Sequence, residues 1–302
     1  MRWMIEAVLG AALCVCYCLT VSRNSVTEDT CLRNCTLDVN EYSSVTLVTA
    51  LYDIGRGNWS EWRRNFTIYL EHFKKVLSLN VYLAVFVDKS LLGFIKHNRQ
   101  GKLNKTHVQV VQFSDLEIFQ YYNPIKDTMN SPDFLENNDM LAHPEAFSPE
   151  YVILMNNKIF FMKTIVDINP FRSTQFFWID AGYGHGSDIF PKDGQWFPRN
   201  LMDIHRKITY IQLSDPMQYE DYVKNLLLHK SRVSPAFTGG FFGGDSQAVR
   251  EYYHIYHKVF RSLLVESIVD DDQNVALLCY FELPRLFNLV DGDWYDVFKL
   301  FN

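Results

Sequence analysis

The chain has 302 residues, 29 Lys+Arg against 35 Asp+Glu for a net charge of −6, and 48% hydrophobic and 15% aromatic residues. Disorder needs few aromatics and low hydrophobicity, so this composition excludes it, and a chain of this length buries a full core without disulfide staples. The acidic balance excludes a nucleic-acid binder that neutralises phosphates in bulk, while leaving a nucleotide pocket open.

Residues 1–22 read as a targeting segment. Arg2 is basic and residues 7–21 are apolar. That run of about 15 residues is shorter than the roughly 20 that span a bilayer, and Thr20-Val21-Ser22 is a small-x-small cleavage site. A cleaved signal peptide is expected, with a short type II anchor as the competing reading. Either one delivers the rest of the chain to the secretory pathway, with membrane contact only through an uncleaved N-terminus. Residues 23–43 are polar and patternless, as in a stem, and one α/β domain is expected over 44–302. Cys31 and Cys35 could close a small disulfide loop there, while Cys279 lies in an apolar run that suits a free buried thiol. Sequons at Asn34, Asn58, Asn65 and Asn104 agree with a lumenal, glycosylated chain.

From Ser44 the texture changes. Val45–Leu51 is a β-branched run closed by Asp53-Ile54-Gly55, as a buried strand would be. Trp62, Phe66, Tyr69, Leu70, Phe73, Val76 and Leu77 then recur at helical spacing. Val81–Val87 is a second buried strand ending at Asp88. A short helix near residues 91–97 leads to a third strand over 107–113. Strands that are nearly continuous in apolar residues and alternate with helices predict a largely parallel sheet covered on both faces. Residues 123–148, with three prolines, read as a long functional loop. Ser148-Pro149-Glu150 opens a helix expected to run to about Val166. Further strands are expected at 175–179, 208–213, 236–242 and 285–290, with a long amphipathic helix from Val249 to Leu264 and another after Gln273.

In open α/β sheets, ligands bind beyond the carboxyl ends of the strands. Asp53, Asp88 and Asp180 fall there. Gly55-Arg56-Gly57 lets backbone approach a nucleotide, and Arg56 could face a diphosphate; a tight strand-to-helix turn would use the same residues. Asp180, followed by Ala181 and Gly182, could hold a divalent cation, because hard cations take oxygen ligands; turn capping is the alternative. Gly239, Gly240, Gly243 and Gly244 permit close approach of a flat sugar ring, or simply bend a hairpin. Asp270, Asp271 and Asp272 crowd three carboxylates together, so one could serve as general base, or cap the following helix. The acidic pair at Asp291 and Asp293 suits a surface turn or a late metal ligand.

Residues 46–57, Asn169-Pro170-Phe171 and Trp178-Ile179-Asp180-Ala181-Gly182 resemble the HtrL/YibB family over roughly residues 45–290. In outline that pattern is similar to GT-A-type, nucleotide-sugar-dependent glycosyltransferases. The resemblance implies a GT-A-like α/β fold with a largely parallel central sheet. It also implies a nucleotide-diphosphate sugar as co-substrate, a glycan or glycoconjugate acceptor, and Mn²⁺ or Mg²⁺ on Asp180. Gly182 stands where the second acid of an Asp-x-Asp motif belongs, so His185 or Asp293 would have to complete the metal site. Asp53, Gly55, Arg56, Gly57, Asp88 and Gly182 would then line the nucleotide. Gly239, Gly240, Gly243, Gly244 and Gln273 would shape the sugar pocket, and Asp271 or Asp272 would activate the acceptor. A catalytically inactive relative that binds glycan or protein is the rival expectation, and a phosphate-ester hydrolase a third.

Overall fold

A computed structural model describes residues 44–138, 140–225 and 236–302. The expectations for the targeting segment, the stem, Asn34, Cys31 and Cys35 fall outside these residues. Among the described residues, no helix is long and apolar enough to cross a membrane.

Strand β1 (Val45–Leu51) is buried along its whole length. Its alternate side chains serve two cores, as the two-residue period of a strand dictates. Val48, Ala50 and the following Tyr52 enter one core, and Val45, Leu47 and Leu51 the other. Around it lie β2 (Tyr82–Val87), β3 (Thr106–Val110), β4 (Gln175–Ile179), β5 (Ile208–Gln212), β6 (Phe237–Asp245) and β7 (Phe287–Asp291). The spatial order is β3-β2-β1-β4-β6-β5-β7. All neighbours pair parallel except at β6, which runs antiparallel to both β4 and β5. The protein is therefore mixed α/β with a mostly parallel sheet.

Helices cover both faces. In chain order the longer ones are α1 (Phe66–Ser78), α2 (Leu92–Asn98), α3 (Tyr122–Met129), α4 (Pro149–Asn156), α5 (Lys158–Ile168), α6 (Ser246–Val265) and α7 (Asp272–Glu282). Helices α5, α6 and α7 close one core with Phe160, Phe161, Tyr252, Tyr256 and Cys279, which is a buried free thiol. Helix α1 closes the other with Phe73, Val76 and Leu77. Arg99, fully buried after α2, donates to the carbonyls of Leu77, Leu79 and Val81 and ties α1 to β2.

Two stretches depart from expectation. Residues 123–148 carry α3 and two short helices, Pro132–Glu136 and Pro144–Phe147. Pro132 and Pro144 open those helices, in the first turn, where a backbone N–H would have no intrahelical acceptor to lose. The single helix expected after Ser148 is two, parted at Asn157. Asn156 and Asn157 are buried there and turn their amides to other segments: Asn156 donates to Asp270 O, and Asn157 Oδ1 accepts from Ile118 N. The break sets Lys158 at the first turn of α5.

Candidate active site

The sheet order reverses between β1 and β4: the chain passes from β1 outward to β2 and β3, then returns to the other side of β1. Crevices at such switch points, outside the carboxyl ends of the strands, are where open α/β sheets bind ligands. Asp53 follows β1 and Asp180 follows β4, so both stand at this crevice. Because β6 runs the other way, its amino end reaches the same edge: Asp180 N donates to Gly240 O at 3.0 Å.

A pocket opens beside β1, lined by Tyr52, Asp53, Arg56, Arg64, Tyr69 and Tyr151 among others. Asp53 Oδ1 accepts from Gly55 N at 2.9 Å, and Gly55 takes a φ of 76°, a left-handed turn that glycine adopts without steric cost. The turn aims Arg56 across the pocket. Its guanidinium donates to Tyr69 Oη at 2.6 Å and lies 5.2 Å from the Trp59 ring centroid. Gly57 packs against Asn65, where an added Cβ would come within 3.2 Å of Oδ1. Gly182 faces the Tyr69 ring, where an added Cβ would come to 3.6 Å, an ordinary van der Waals contact. Asp88 caps the turn after β2 by accepting from Ser90 N at 3.0 Å, and it does not line the pocket.

Deeper in the crevice, Lys158 is only 3% exposed. Its ammonium lies 3.2 Å from Asp180 Oδ1 and 2.9 Å from Asp272 Oδ2, and donates to Gly239 O at 2.9 Å. Asp180 Oδ1 also accepts from Trp178 Nε1 at 2.7 Å. Burial works against the Lys158 charge, but Asp180 and Asp272 more than offset it and hold the ammonium above its usual range. Burial pushes Asp272 up to about 7, helped by the carboxylates of Asp271 and Asp180 and opposed by Lys158. Burial and the Glu145 carboxylate push Asp271 up to about 6. Asp270 is also raised well above the usual carboxylate range, by burial and then by Asp271. Glu145, buried in the short helix before α4, is raised by its own burial and then by Asp272.

The three consecutive acids hold different posts. Asp270 is buried, and its Oδ2 accepts from Asn274 Nδ2 while Oδ1 accepts from Asp271 N. Asp271 is half-buried and caps α7, its Oδ1 accepting from the Gln273 and Asn274 amides. Its Oδ2 has no hydrogen bond among the described residues. Asp272 is the buried partner of Lys158.

Several expected site residues lie elsewhere or are already engaged. Gly243 and Gly244 sit within the sheet, opposite Phe177 and Phe176, well away from the crevice. A Cβ on Gly243 would run into the Phe176 carbonyl and one on Gly244 into that of Lys207, so these glycines serve strand packing and not a sugar pocket. Gly239 and Gly240 do reach the crevice, where a Cβ on Gly239 would meet Asp272 Oδ2 at 2.7 Å. The Gln273 amide nitrogen is taken by Phe237 O at 2.6 Å.

The residues proposed for a divalent cation do not fit one. Asp180 already shares its Oδ1 with an ammonium and an indole N–H. Arg64 donates to His185 Nε2 at 3.4 Å, which leaves the ring proton on Nδ1, 2.9 Å from the Tyr295 hydroxyl. Burial and the Arg64 charge both lower the His185 pKa. Asp293 is exposed and accepts from Trp294 N in its own turn, so Tyr295, and not Asp293, reaches His185. Among the described residues, no group of three or more His, Cys, Asp or Glu is placed to hold a metal ion.

Sequence reasoning missed Lys158, Glu145, Arg64 and Tyr295. Lys158 carried the clearest signal: it is the one charge in the otherwise apolar or amide run from Tyr151 to Met162.

Fold and site together define an α/β protein with a charge-dense crevice at the switch point of a mostly parallel sheet. The chain belongs to the HtrL_YibB family, described as "Bacterial protein of unknown function (HtrL_YibB)", which matches residues 43–302. It is 26% identical over 275 residues to Protein HtrL of Escherichia coli (strain K12), covering 86% of this chain and 93% of that protein. A solved structure with some likeness is that of mouse xyloside xylosyltransferase 1 in its apo form. The TM-score is 0.41 and the identity 12%, over 85% of this chain and 92% of the other.

Proposed function

We propose that the protein is a lumenal glycosyltransferase that moves a sugar from a nucleotide-diphosphate donor, taken here as a uridine-diphosphate sugar, to an acceptor hydroxyl on a glycan. The observation that carries this reading is the convergence at one switch point of a basic, aromatic-lined pocket and a half-buried carboxylate raised to about 6. A base with a pKa near neutrality is ionised at working pH yet still takes a proton readily. The family pattern read from residues 46–57 and 178–182 points the same way. The apolar run over 7–21 and the exposed sequon residues Asn58, Asn65 and Asn104 support the secretory placement.

Asp271 is the better-placed base, because its Oδ2 is open while Asp272 is held by Lys158. In the step, the acceptor oxygen bonds to the anomeric carbon and its proton passes to Asp271. The bond from that carbon to the diphosphate oxygen breaks, and the electron pair leaves with the diphosphate. Lys158 fixes Asp272 and Asp180 at the edge of the crevice and keeps their repulsion from opening it. Arg56, stacked against Trp59 and Tyr69, meets the anionic donor. Tyr52 and Tyr151 give the pocket walls for a base or ribose.

The test is a thermal-shift panel of nucleotide sugars on the full chain, followed by an assay for nucleoside diphosphate released in the presence of glycan acceptors. A bound donor at 100 times its Kd stabilises the fold by about 2.7 kcal/mol. Stabilisation by one donor class with release of the matching nucleoside diphosphate is expected. Well-folded protein that responds to no nucleotide sugar would refute the reading. Glycan binding without any nucleotide effect would favour a non-catalytic binder instead.

A further inference from the structure

We propose that the crevice holds the diphosphate of its donor with the guanidinium pair Arg56 and Arg64, and that it works without a divalent cation. The proposal rests on the nucleotide-sugar reading and specifies how the leaving group is bound.

Both guanidiniums line the same pocket and share one aromatic platform. Arg56 lies 5.9 Å and Arg64 5.4 Å from the Tyr69 ring centroid. Neither forms an ion pair with a carboxylate among the described residues, although seven other Lys and Arg side chains on the surface do. Two like charges gathered over one ring repel, and an anion between them relieves this. The planar fork of a guanidinium matches phosphate oxygens in a bidentate way. Their remaining contacts are neutral: Arg56 donates to Trp62 O and Tyr69 Oη, and Arg64 to His185 Nε2. Each keeps donors for a ligand.

The acid side of the crevice is arranged to match. The gap between Asp180, at the end of β4, and Asp272, at the start of α7, is filled by the Lys158 ammonium, so these two carboxylates are not free to take up a divalent cation. Hard cations bind oxygens at about 2.0–2.6 Å, and a metal could come that close only by expelling a buried lysine. With Lys158 in place the carboxylates are already compensated. The two guanidiniums then bring to the leaving diphosphate the same two positive charges that one divalent ion would.

Titration calorimetry on the full chain, stripped of metal and held in EDTA, tests this with inorganic pyrophosphate and with uridine diphosphate. Uridine diphosphate is also titrated in Mn²⁺. Pyrophosphate is expected to bind in EDTA, with Arg56→Gln and Arg64→Gln each weakening it tenfold or more. Addition of Mn²⁺ should change uridine diphosphate affinity less than threefold. Circular dichroism and urea unfolding confirm that both variants fold. Uridine diphosphate that binds only with Mn²⁺ would overturn the metal-free site and leave the nucleotide-sugar reading standing. Binding in EDTA that neither arginine variant weakens would overturn the guanidinium assignment. Pyrophosphate bound through the arginines, with no nucleotide sugar bound under any condition, would uphold the anion site and refute the nucleotide-sugar reading. Silence of all ligands would overturn both.

Discussion

Replacing Lys158 by Met tests the charge logic of the crevice without touching its shape, because methionine nearly matches the lysine stem. In the native protein one ammonium compensates Asp272, whose side chain is 8% exposed, and Asp180, at 37%. Removing one partner of a buried ion pair costs about 3–5 kcal/mol, because the other charge is stranded. The Gly239 carbonyl loses its donor as well, at about 1 kcal/mol. The cost must depend on pH. The Asp272 carboxyl already sits at about 7, above its unfolded value, and it rises further without the ammonium. A raised carboxyl stabilises the fold below its unfolded pKa, and that contribution is lost as pH rises through the folded pKa. The variant therefore loses more stability than the native protein between pH 5 and pH 8.5. Urea unfolding at the two pH values should show a penalty of about 4–6 kcal/mol at pH 8.5 and roughly half of that at pH 5. Equal penalties at both pH values would refute the assignment of Lys158 as the counter-charge of a buried carboxylate.

Asp271→Asn should lower the rate of sugar transfer by about a hundredfold or more while leaving donor affinity within a few-fold. The native rate should climb with pH through about 6 and level off above, since the base acts when ionised; the variant should lose that limb. Gly243→Ala should cost at least about 1–3 kcal/mol in unfolding, because the added methyl meets the Phe176 backbone, which cannot swing aside as a side chain can. A neutral Gly243→Ala would show that the strand has room the structure does not give it.

The strands were legible because each buried run announces itself: Val45–Leu51 and Val81–Val87 need no partner to be read as core strands. The strand-end acids were legible for a similar reason, since topology sends every parallel strand's carboxyl end to one edge. What the sequence hides is register. Gly239-Gly240 and Gly243-Gly244 look alike on either side of two phenylalanines, yet a strand rises about 3.3 Å per residue. Four positions carry the second pair away from the crevice. Ion pairing between distant segments is hidden too: Lys158, Asp180 and Asp272 span more than a hundred residues of chain and carry no shared motif. The prolines at 132 and 144 misled because proline marks both loops and helix starts, and Ser131, whose Oγ accepts from Phe134 N to cap the first of these helices, is a single residue. Asp293 drew attention because ligand chemistry favours acids, while the reach of Tyr295 to His185, which the sequence does not announce, depends on the turn between them.

The order of β6 has a bearing on how tolerant this crevice is to change. A glycine-rich strand has little to stop it sliding between its neighbours. Here the sliding is resisted by Phe241, wedged with Phe177, Trp196 and Phe301 on one face, and Phe242, against Tyr210 and Tyr252 on the other. These rings act as a detent, and the carbonyl of Gly239 sits under Lys158 only while they stay seated. Alignment of the charged edge is thus set from within the hydrophobic interior, so a conservative core change at Phe241 or Phe242 would be felt first as a misplaced carbonyl at the crevice.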